Sequence, residues 1–398
     1  MLDRAQQAIG SKPKQLRQII RRTLKSFSSP PPIKELLAKL LADPAYEQLP
    51  VEVRRIFWST PFMGPDHGWH VPARRTSHEL AEWLGLRIGE LDWFADVQGR
   101  NPHQHVRRLA HYTCRFVAKR GGFRLLEIPK YRLKCIQRKI LHEILDRIPV
   151  HSAAHGFCAG RSPSTFAQEH VDKAVVWRVD LRDFFPSIRA SRVHAIFQSA
   201  GYPLIVSRML TGLCTTNLAT DVNSPDPNTS LKLYRHRHLP QGAPTSPALA
   251  NLTAFGLDVR LSALSTACGA SYSRYADDLA FSGNEDFAKM RVRFRRAVWQ
   301  IIAEEGFRPN AAKNRWMTRG RRQHLTGLVV NEHVNVPRQD FDVLKAILTN
   351  CIRTGAESQN RLNTKNFRGH LLGRIAHVAS IHPERGKKLR AIFDRIVW

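Results

Sequence analysis

Tyr275-Ala276-Asp277-Asp278 stands between two strand-like runs, 270–274 and 279–282, so two adjacent acids fall at the tip of a β-hairpin. Side-by-side ionised carboxylates repel, and folding alone gives no reason to place them there. An Asp-Asp pair in a turn is common by itself, so its meaning depends on the rest of the chain. Upstream, Val175-Val176-Trp177-Arg178-Val179 is a β-branched run that reads as a buried central strand. Asp180 ends it, and Asp183, Phe184, Phe185 and Pro186 follow. Acids on the ends of neighbouring strands can converge on one point, where an all-oxygen ligand set suits Mg²⁺ better than a soft metal. Three carboxylates with two Mg²⁺ ions form the logic of two-metal nucleotidyl transfer: one ion activates a hydroxyl and the other steadies the leaving pyrophosphate.

Composition narrows the partner. The 398 residues correspond to roughly two to three domains with ample core, which excludes disorder and fibrous repeats. Lys and Arg number 62 against 33 Asp and Glu, and the resulting +29 exceeds what internal ion pairing can discharge, so the expected partner is a polyanion. No run of about 18 uncharged apolar residues and no signal-peptide pattern is present, so a soluble, cytoplasmic protein without membrane contact is expected. The six cysteines lie far apart with no C-x-x-C pair and are expected to be reduced.

Along the chain, residues 11–27 carry six basic residues and no acid, with Leu16, Ile19, Ile20, Leu24 and Phe27 at helical spacing. This basic amphipathic helix either docks with its charged face in water or touches RNA, in which case Arg17, Arg21 and Arg22 are the contacts. Residues 28–32, Ser-Ser-Pro-Pro-Pro, make a stiff connector, and a second helical region runs to about residue 57. Thr76 and Glu79 have capping-box spacing ahead of another helical pattern, which Gly85 and Gly89 split in two. A hairpin with a glycine tip at Gly121-Gly122 is expected over 116–128, a helix over 131–147, and a polar surface excursion over 219–236. Beyond 338 the chain reads as helical and basic.

In order along the chain, Val179-Asp180-Leu181-Arg182-Asp183-Phe184-Phe185, then Leu239-Pro240-Gln241-Gly242-Ala243-Pro244-Thr245-Ser246-Pro247, then Tyr275-Ala276-Asp277-Asp278 resemble motifs A, B and C of reverse transcriptases, most of all the bacterial retron type. The resemblance covers about 75–398. It implies an α+β right-hand polymerase with an antiparallel-sheet palm, fingers and helical thumb, here with a basic helical N-terminal extension. The expected domains are 1–74 for the extension, 75–330 for fingers and palm, and 331–398 for the thumb. Carried over by position, Asp180, Asp277 and Asp278 are catalytic metal ligands for two Mg²⁺ ions. Lys119 and Arg124, in a segment similar to the fingertip, pair with triphosphate oxygens. Phe185 is a steric gate against a ribose 2′-hydroxyl, Gln241 touches nucleotide and template, and Lys313, in a segment like motif D, protonates pyrophosphate. Residues 325–331 resemble the primer-grip region.

Two further retron marks are met in part. The family tends to Asn-Ala-x-x-His where this chain has Phe166-Ala167-Gln168-Glu169-His170, and to Val-Thr-Gly where it has Leu325-Thr326-Gly327. Both bear on the surface expected to recognise RNA, where His170 is either a contact or a structural histidine satisfied within the fold. The resemblance implies an RNA-directed DNA polymerase that copies a dedicated structured non-coding RNA, serving as template and primer, into short single-stranded DNA from dNTPs. It further implies a role in antiphage defence, with an effector protein encoded nearby as a candidate partner. The competing readings are another bacterial reverse transcriptase, group II intron-like or defence-associated, an RNA-dependent RNA polymerase, and a catalytically idle RNA-binding scaffold. About 60 residues follow position 338, too few for the splicing and endonuclease domains expected of an intron enzyme.

Overall fold

In the computed structural model, the described residues are 14–27, 32–44, 68–99, 109–119, 122–219, 222, 224–226 and 231–398. They fall in two units, Met1–Thr60 and Pro61–Trp398.

In the first unit, α1 (Lys14–Lys25) is the expected basic helix and α2 (Ile33–Leu41) follows the proline connector. Ile19 and Leu36 are its buried apolar side chains, and the Lys39 ammonium sits 4.5 Å from the Phe27 ring centroid. Arg22 is spent within the unit, donating to Asp43 at 2.6 Å, whereas Arg21 is exposed. The side chain of Arg17 and the helical region expected over 45–57 lie outside the described residues.

In the second unit, α3 (Ser77–Leu84) and α4 (Ile88–Ala95) are the two short helices that the glycines predict. Thr76 caps α3 by accepting from the Glu79 amide, and Gly85 ends it at φ 68°. The reciprocal half of the capping box is shifted by one residue, because Glu79 accepts from the Arg75 amide. β1 (Tyr112–Lys119) and β2 (Gly122–Pro129) form the expected hairpin, whose tip at 120–121 is outside the described residues. α5 (Tyr131–Glu143) and the short α6 (Pro163–Gln168) lead into β3 (Val175–Asp180). α7 (Phe184–Ser187), α8 (Ala190–Ser199), α9 (Leu204–Cys214), α10 (Ser246–Thr253) and α11 (Phe255–Ala267) separate β3 from the hairpin β4 (Ala270–Tyr275) and β5 (Asp278–Gly283). After α12 (Glu285–Lys289) and α13 (Arg291–Glu304) come β6 (Arg315–Thr318) and the small ladder of β7 (His324–Leu325) with β8 (Leu328–Val329). Three helices, α14 (Arg338–Thr354), α15 (Phe367–Ile381) and α16 (Pro383–Phe393), complete the unit.

The antiparallel sheet has the order β4-β5-β3-β6, so β3 is central and its apolar run is explained by burial on both faces. Period-two alternation sends Val175, Trp177 and Val179, with Leu279 and Phe281 of β5, into a large core shared with the helices behind the sheet. Val176 and Ala280 face a second core built with Leu325, Val330, Leu344, Leu371 and Leu389. The same alternation puts Arg178 and Asp180 on the Val176 face, toward one end of the sheet. The 219–236 excursion is not wholly superficial as expected: Leu231 and Tyr234 are buried with Leu125 and Leu218. All six cysteines are free thiols, and among the described residues no helix is long and apolar enough to cross a membrane.

Candidate active site

The antiparallel pairing of β3 with β5 sets Asp180 directly opposite Asp278, and Asp277 occupies the turn one residue earlier. Ala276 holds that turn at φ 56°, left-handed and unusual for a residue other than glycine. Backbone bonds fix the strand ends: the Leu181 amide donates to the Asp277 carbonyl at 2.8 Å and the Asn310 amide to the Asp180 carbonyl at 2.7 Å. The three acids are thus assembled by sheet register and one turn.

Two of the three side chains, those of Asp180 and Asp278, are bonded to neighbouring side chains. Asp180, only 4% exposed, accepts from Asn310 Nδ2 and from Lys313 Nζ, each at 2.8 Å. Asp278 takes a forked contact from Arg178, Nε and Nη2 lying 2.9 and 2.7 Å from Oδ1. Burial, then the charges of Asp278 and Asp180, raise the Asp277 carboxyl above its ordinary value. Burial also raises Asp278, against the pull of Arg178. Among the described residues no three His, Cys, Asp or Glu side chains form a ready ligand cluster; Asp180 and Asp278 are instead paired with Lys313 and Arg178. The donor set still fits a hard divalent ion: the ligands would be carboxylate oxygens, and the acids raise one another's affinity for positive charge.

Phe185, which follows Asp180 by five residues, lines an open cleft of about 350 Å³ together with Gln241, Gly242, Ala243, Lys134 and Arg138. The Phe185 ring packs on Phe184 and Phe157 at centroid distances of 5.6 and 6.2 Å. The loop carrying Gln241 is anchored to the fingers hairpin, since the Glu127 amide donates to the Gln241 carbonyl at 3.0 Å. A Cβ on Gly242, at φ 142°, would come within 2.9 Å of the Glu127 carbonyl, so this glycine admits β2 at close range. Glu127 and His238, both buried, meet at 2.8 Å behind the loop.

Of the residues singled out in the sequence, Asp180, Asp277, Asp278 and Lys313 converge, and Phe185 and Gln241 share the cleft. Lys119 and Arg124 are exposed on the hairpin and do not line that cleft. His170 is a correction. Of its two readings, RNA contact or satisfied structural histidine, the first does not hold: it is fully buried, its Nδ1 and Nε2 each 2.7 Å from a hydroxyl, Ser282 of β5 and Ser273 of β4. It pins the hairpin from beneath and can touch no RNA. Sequence reading missed Lys134 and Arg138, although their i, i+4 spacing opposite Leu133, Ile136 and Ile140 marks them as one outward face of α5. It also missed Arg178, which looked like an ordinary strand residue.

The protein-family model "Reverse transcriptase (RNA-dependent DNA polymerase)" matches residues 117–356, more than half of the chain and including all three acids. The chain belongs to the reverse transcriptase family. Curated relatives place it in the retron type. It is 37% identical over 327 residues to Retron Mx65 reverse transcriptase of Myxococcus xanthus, covering 80% of this chain and 71% of that one. With Retron Mx162 reverse transcriptase of the same organism it shares 38% over 294 residues, 69% of this chain and 58% of that one. With Retron Ec86 reverse transcriptase of Escherichia coli it shares 32% over 249 residues, 60% and 71% of the respective chains. This retron-type reverse transcriptase is therefore an RNA-directed DNA polymerase with the palm, fingers and thumb of that fold. Among solved structures it is similar to the foamy viral protease-reverse transcriptase with double-stranded DNA (TM-score 0.40, 15% identity, 72% of this chain and 39% of that one). It is also similar to Candida albicans telomerase with a telomeric RNA fragment (TM-score 0.41, 10% identity, 71% and 59%).

Proposed function

We propose that this retron-type reverse transcriptase copies one dedicated structured RNA, acting as template and primer, into a short single-stranded DNA, with Asp180, Asp277 and Asp278 as its catalytic acids. The observation that carries this reading is the register that opposes Asp180 to Asp278 with Asp277 in the adjoining turn. The three acids would hold Mg²⁺, which when bound activates the primer hydroxyl and offsets charge on the triphosphate. The chain's own residues do the rest. Phe185, which lines the cleft, stacks beneath a deoxyribose and crowds a 2′-hydroxyl in this reading. Gln241, fixed through its carbonyl, orients base and template, while Lys134 and Arg138, which line the same cleft, attract phosphate. Lys119 and Arg124, exposed on the hairpin, grip the triphosphate as it enters. Lys313, whose Nζ bonds Asp180, gives a proton to the departing pyrophosphate in this reading.

Residues 331–398 act as the thumb along the product duplex, 75–330 as fingers and palm, and 1–74 as an added RNA-binding segment. The excess of 29 positive charges suits folded RNA and the growing DNA, and binding should weaken steeply with salt. A cytoplasmic role in antiphage defence, with an effector protein encoded nearby, completes the reading. The chemical part is tested by extending a DNA primer on an RNA template with dNTPs and Mg²⁺. Asp180→Asn should abolish extension while leaving the melting temperature near that of the parent; extension at the parental rate would remove the acids from the mechanism.

A further inference from the structure

Beneath the turn that presents Asp277 and Asp278 lies an ionic node with no accessible surface. Arg274, the last-but-one residue of β4, and Asp258 of α11 are both 0% exposed. Arg274 Nε and Nη2 donate to the two oxygens of Asp258 at 2.8 and 2.6 Å, and the Tyr272 hydroxyl donates to the same carboxylate at 2.7 Å. The guanidinium still has Nη1 to use, and it reaches two acceptors of different kinds: Asn251 Oδ1 on α10 at 2.9 Å and the carbonyl of Ala276 at 3.2 Å. Asn251 in turn donates from Nδ2 to the Gly156 carbonyl at 2.8 Å. The 153–156 segment is laced to β4 through Arg274 itself, whose amide donates to the Ala153 carbonyl and whose carbonyl accepts from the His155 amide, each at 2.7 Å.

A buried ion pair is weak support for stability, since apolar residues of similar volume often hold a core at least as well. What this pair supplies that apolar packing cannot is direction. The planar fork fixes Nη1 relative to Asp258, and so fixes the Ala276 carbonyl in a turn whose left-handed φ a non-glycine residue keeps only when its surroundings hold it. The loop carrying Gln241 runs straight into α10, the helix that bears Asn251.

We propose that Arg274 is a positioning residue for nucleotide addition: its guanidinium, neutralised by Asp258, sets the Asp277-Asp278 turn through the Ala276 carbonyl and ties that turn, through Asn251, to the helix behind the nucleotide-binding loop. This rests on the reading of Asp277 and Asp278 as catalytic acids. Lysine can neutralise Asp258, but from one ammonium it cannot also span Asn251 and Ala276. Folding and rate should therefore separate.

The test uses the full chain on an RNA template with a DNA primer, reading kcat, KM for the nucleotide, RNA affinity and melting temperature for Arg274→Met, Arg274→Lys, Asn251→Ala and Asp277→Asn. Arg274→Met should lose both stability and rate. Arg274→Lys should recover most of the melting temperature while kcat stays down by about tenfold or more, with KM and RNA affinity within about twofold of the parent. Asn251→Ala, which leaves the Asp258 pair intact but strands the Gly156 carbonyl, should lower kcat in the same way in a protein that still melts cooperatively, with KM and RNA affinity within about twofold of the parent. Recovery of kcat together with melting temperature in Arg274→Lys would overturn the proposal, as would a loss confined to KM or RNA affinity. If Arg274→Lys does not fold, Asn251→Ala decides, and an unchanged kcat overturns it. Parental rate in Asp277→Asn would remove the catalytic acids and the proposal with them. Loss in Asp277→Asn beside a parental rate in Arg274→Lys would remove the proposal alone.

Discussion

Gly156→Ala should slow nucleotide addition by about a hundredfold in a protein that still folds. A Cβ at this position would lie 2.6 Å from the Ala276 amide nitrogen and 3.2 Å from the Tyr275 carbonyl carbon, both backbone atoms that no rotamer change can withdraw. Restoring an ordinary contact of 3.4 Å requires a relative displacement of about 0.8 Å. The loop side resists, because Asn251 holds the Gly156 carbonyl and the His155 amide is bonded to Arg274. Much of the shift therefore falls on the turn that carries Asp277 and Asp278. A misplacement of roughly 1 Å in reacting groups costs about a hundredfold, and overpacking costs about 1–3 kcal/mol of stability. Single-turnover extension of a primed RNA template gives the rate, and thermal denaturation gives the fold. Gly89→Ala is the control, since a Cβ there meets nothing within 4 Å. A Gly156→Ala protein that melts cooperatively and extends within about twofold of the parental rate would refute the claim that turn position limits chemistry.

Three further outcomes are expected. Phe185→Ala should raise ribonucleotide incorporation relative to deoxynucleotide by about tenfold or more, measured by competition on one template; an unchanged ratio would leave the ring as packing only. His170→Leu strands the Ser282 hydroxyl, leaves Ser273 only a long bond to the Phe166 carbonyl, and should cost about 1–3 kcal/mol without changing RNA affinity. Burial holds His170 at about 3 in the folded protein, below the ordinary 6.5, so the unfolded chain binds a proton that the folded chain refuses between those values. Stability from this group is therefore complete above pH 6.5 and is lost as pH falls toward 3. Denaturant titrations from pH 7 to 5 should show a shallower loss for His170→Leu than for the parent, and parallel curves would contradict the assignment. Deleting residues 1–27 should weaken RNA binding more than extension of a generic primer, and equal losses in the two assays would contradict a role in RNA binding.

Much of the palm was legible because its determinants are local. The β-branched run 175–179 sits between two strands, and Asp277 and Asp278 fall at a hairpin turn, as period and turn chemistry indicate. The β1–β2 hairpin and the glycine-divided helices α3 and α4 follow from residues within a few positions of each break. What escaped depends on contacts distant in sequence. His170, among Glu169, Asp172 and Lys173, could be read as surface or as structural, and only its partners on β4 and β5 decide for the second. Arg274 looks like a strand residue beside Tyr275, and only the return of α10 and α11 to that strand supplies Asn251 and Asp258. The Arg178–Asp278 and Lys313–Asp180 pairs were equally invisible, because they depend on which side chains the sheet register and the 310–313 turn bring together. Leu231 and Tyr234 were masked by polar, turn-rich neighbours, although they fill a small core against β2.

The most direct test of the central claim is to purify the protein after co-expression with its upstream genomic region and to digest the bound nucleic acid separately with RNase and DNase, for the parent and for Asp277→Asn/Asp278→Asn. A short DNA of one defined sequence that survives RNase and is absent from the double variant is the expected result. Copurification of RNA alone, with no extension of it on adding deoxynucleotides and Mg²⁺, would contradict a polymerase working on its own dedicated template.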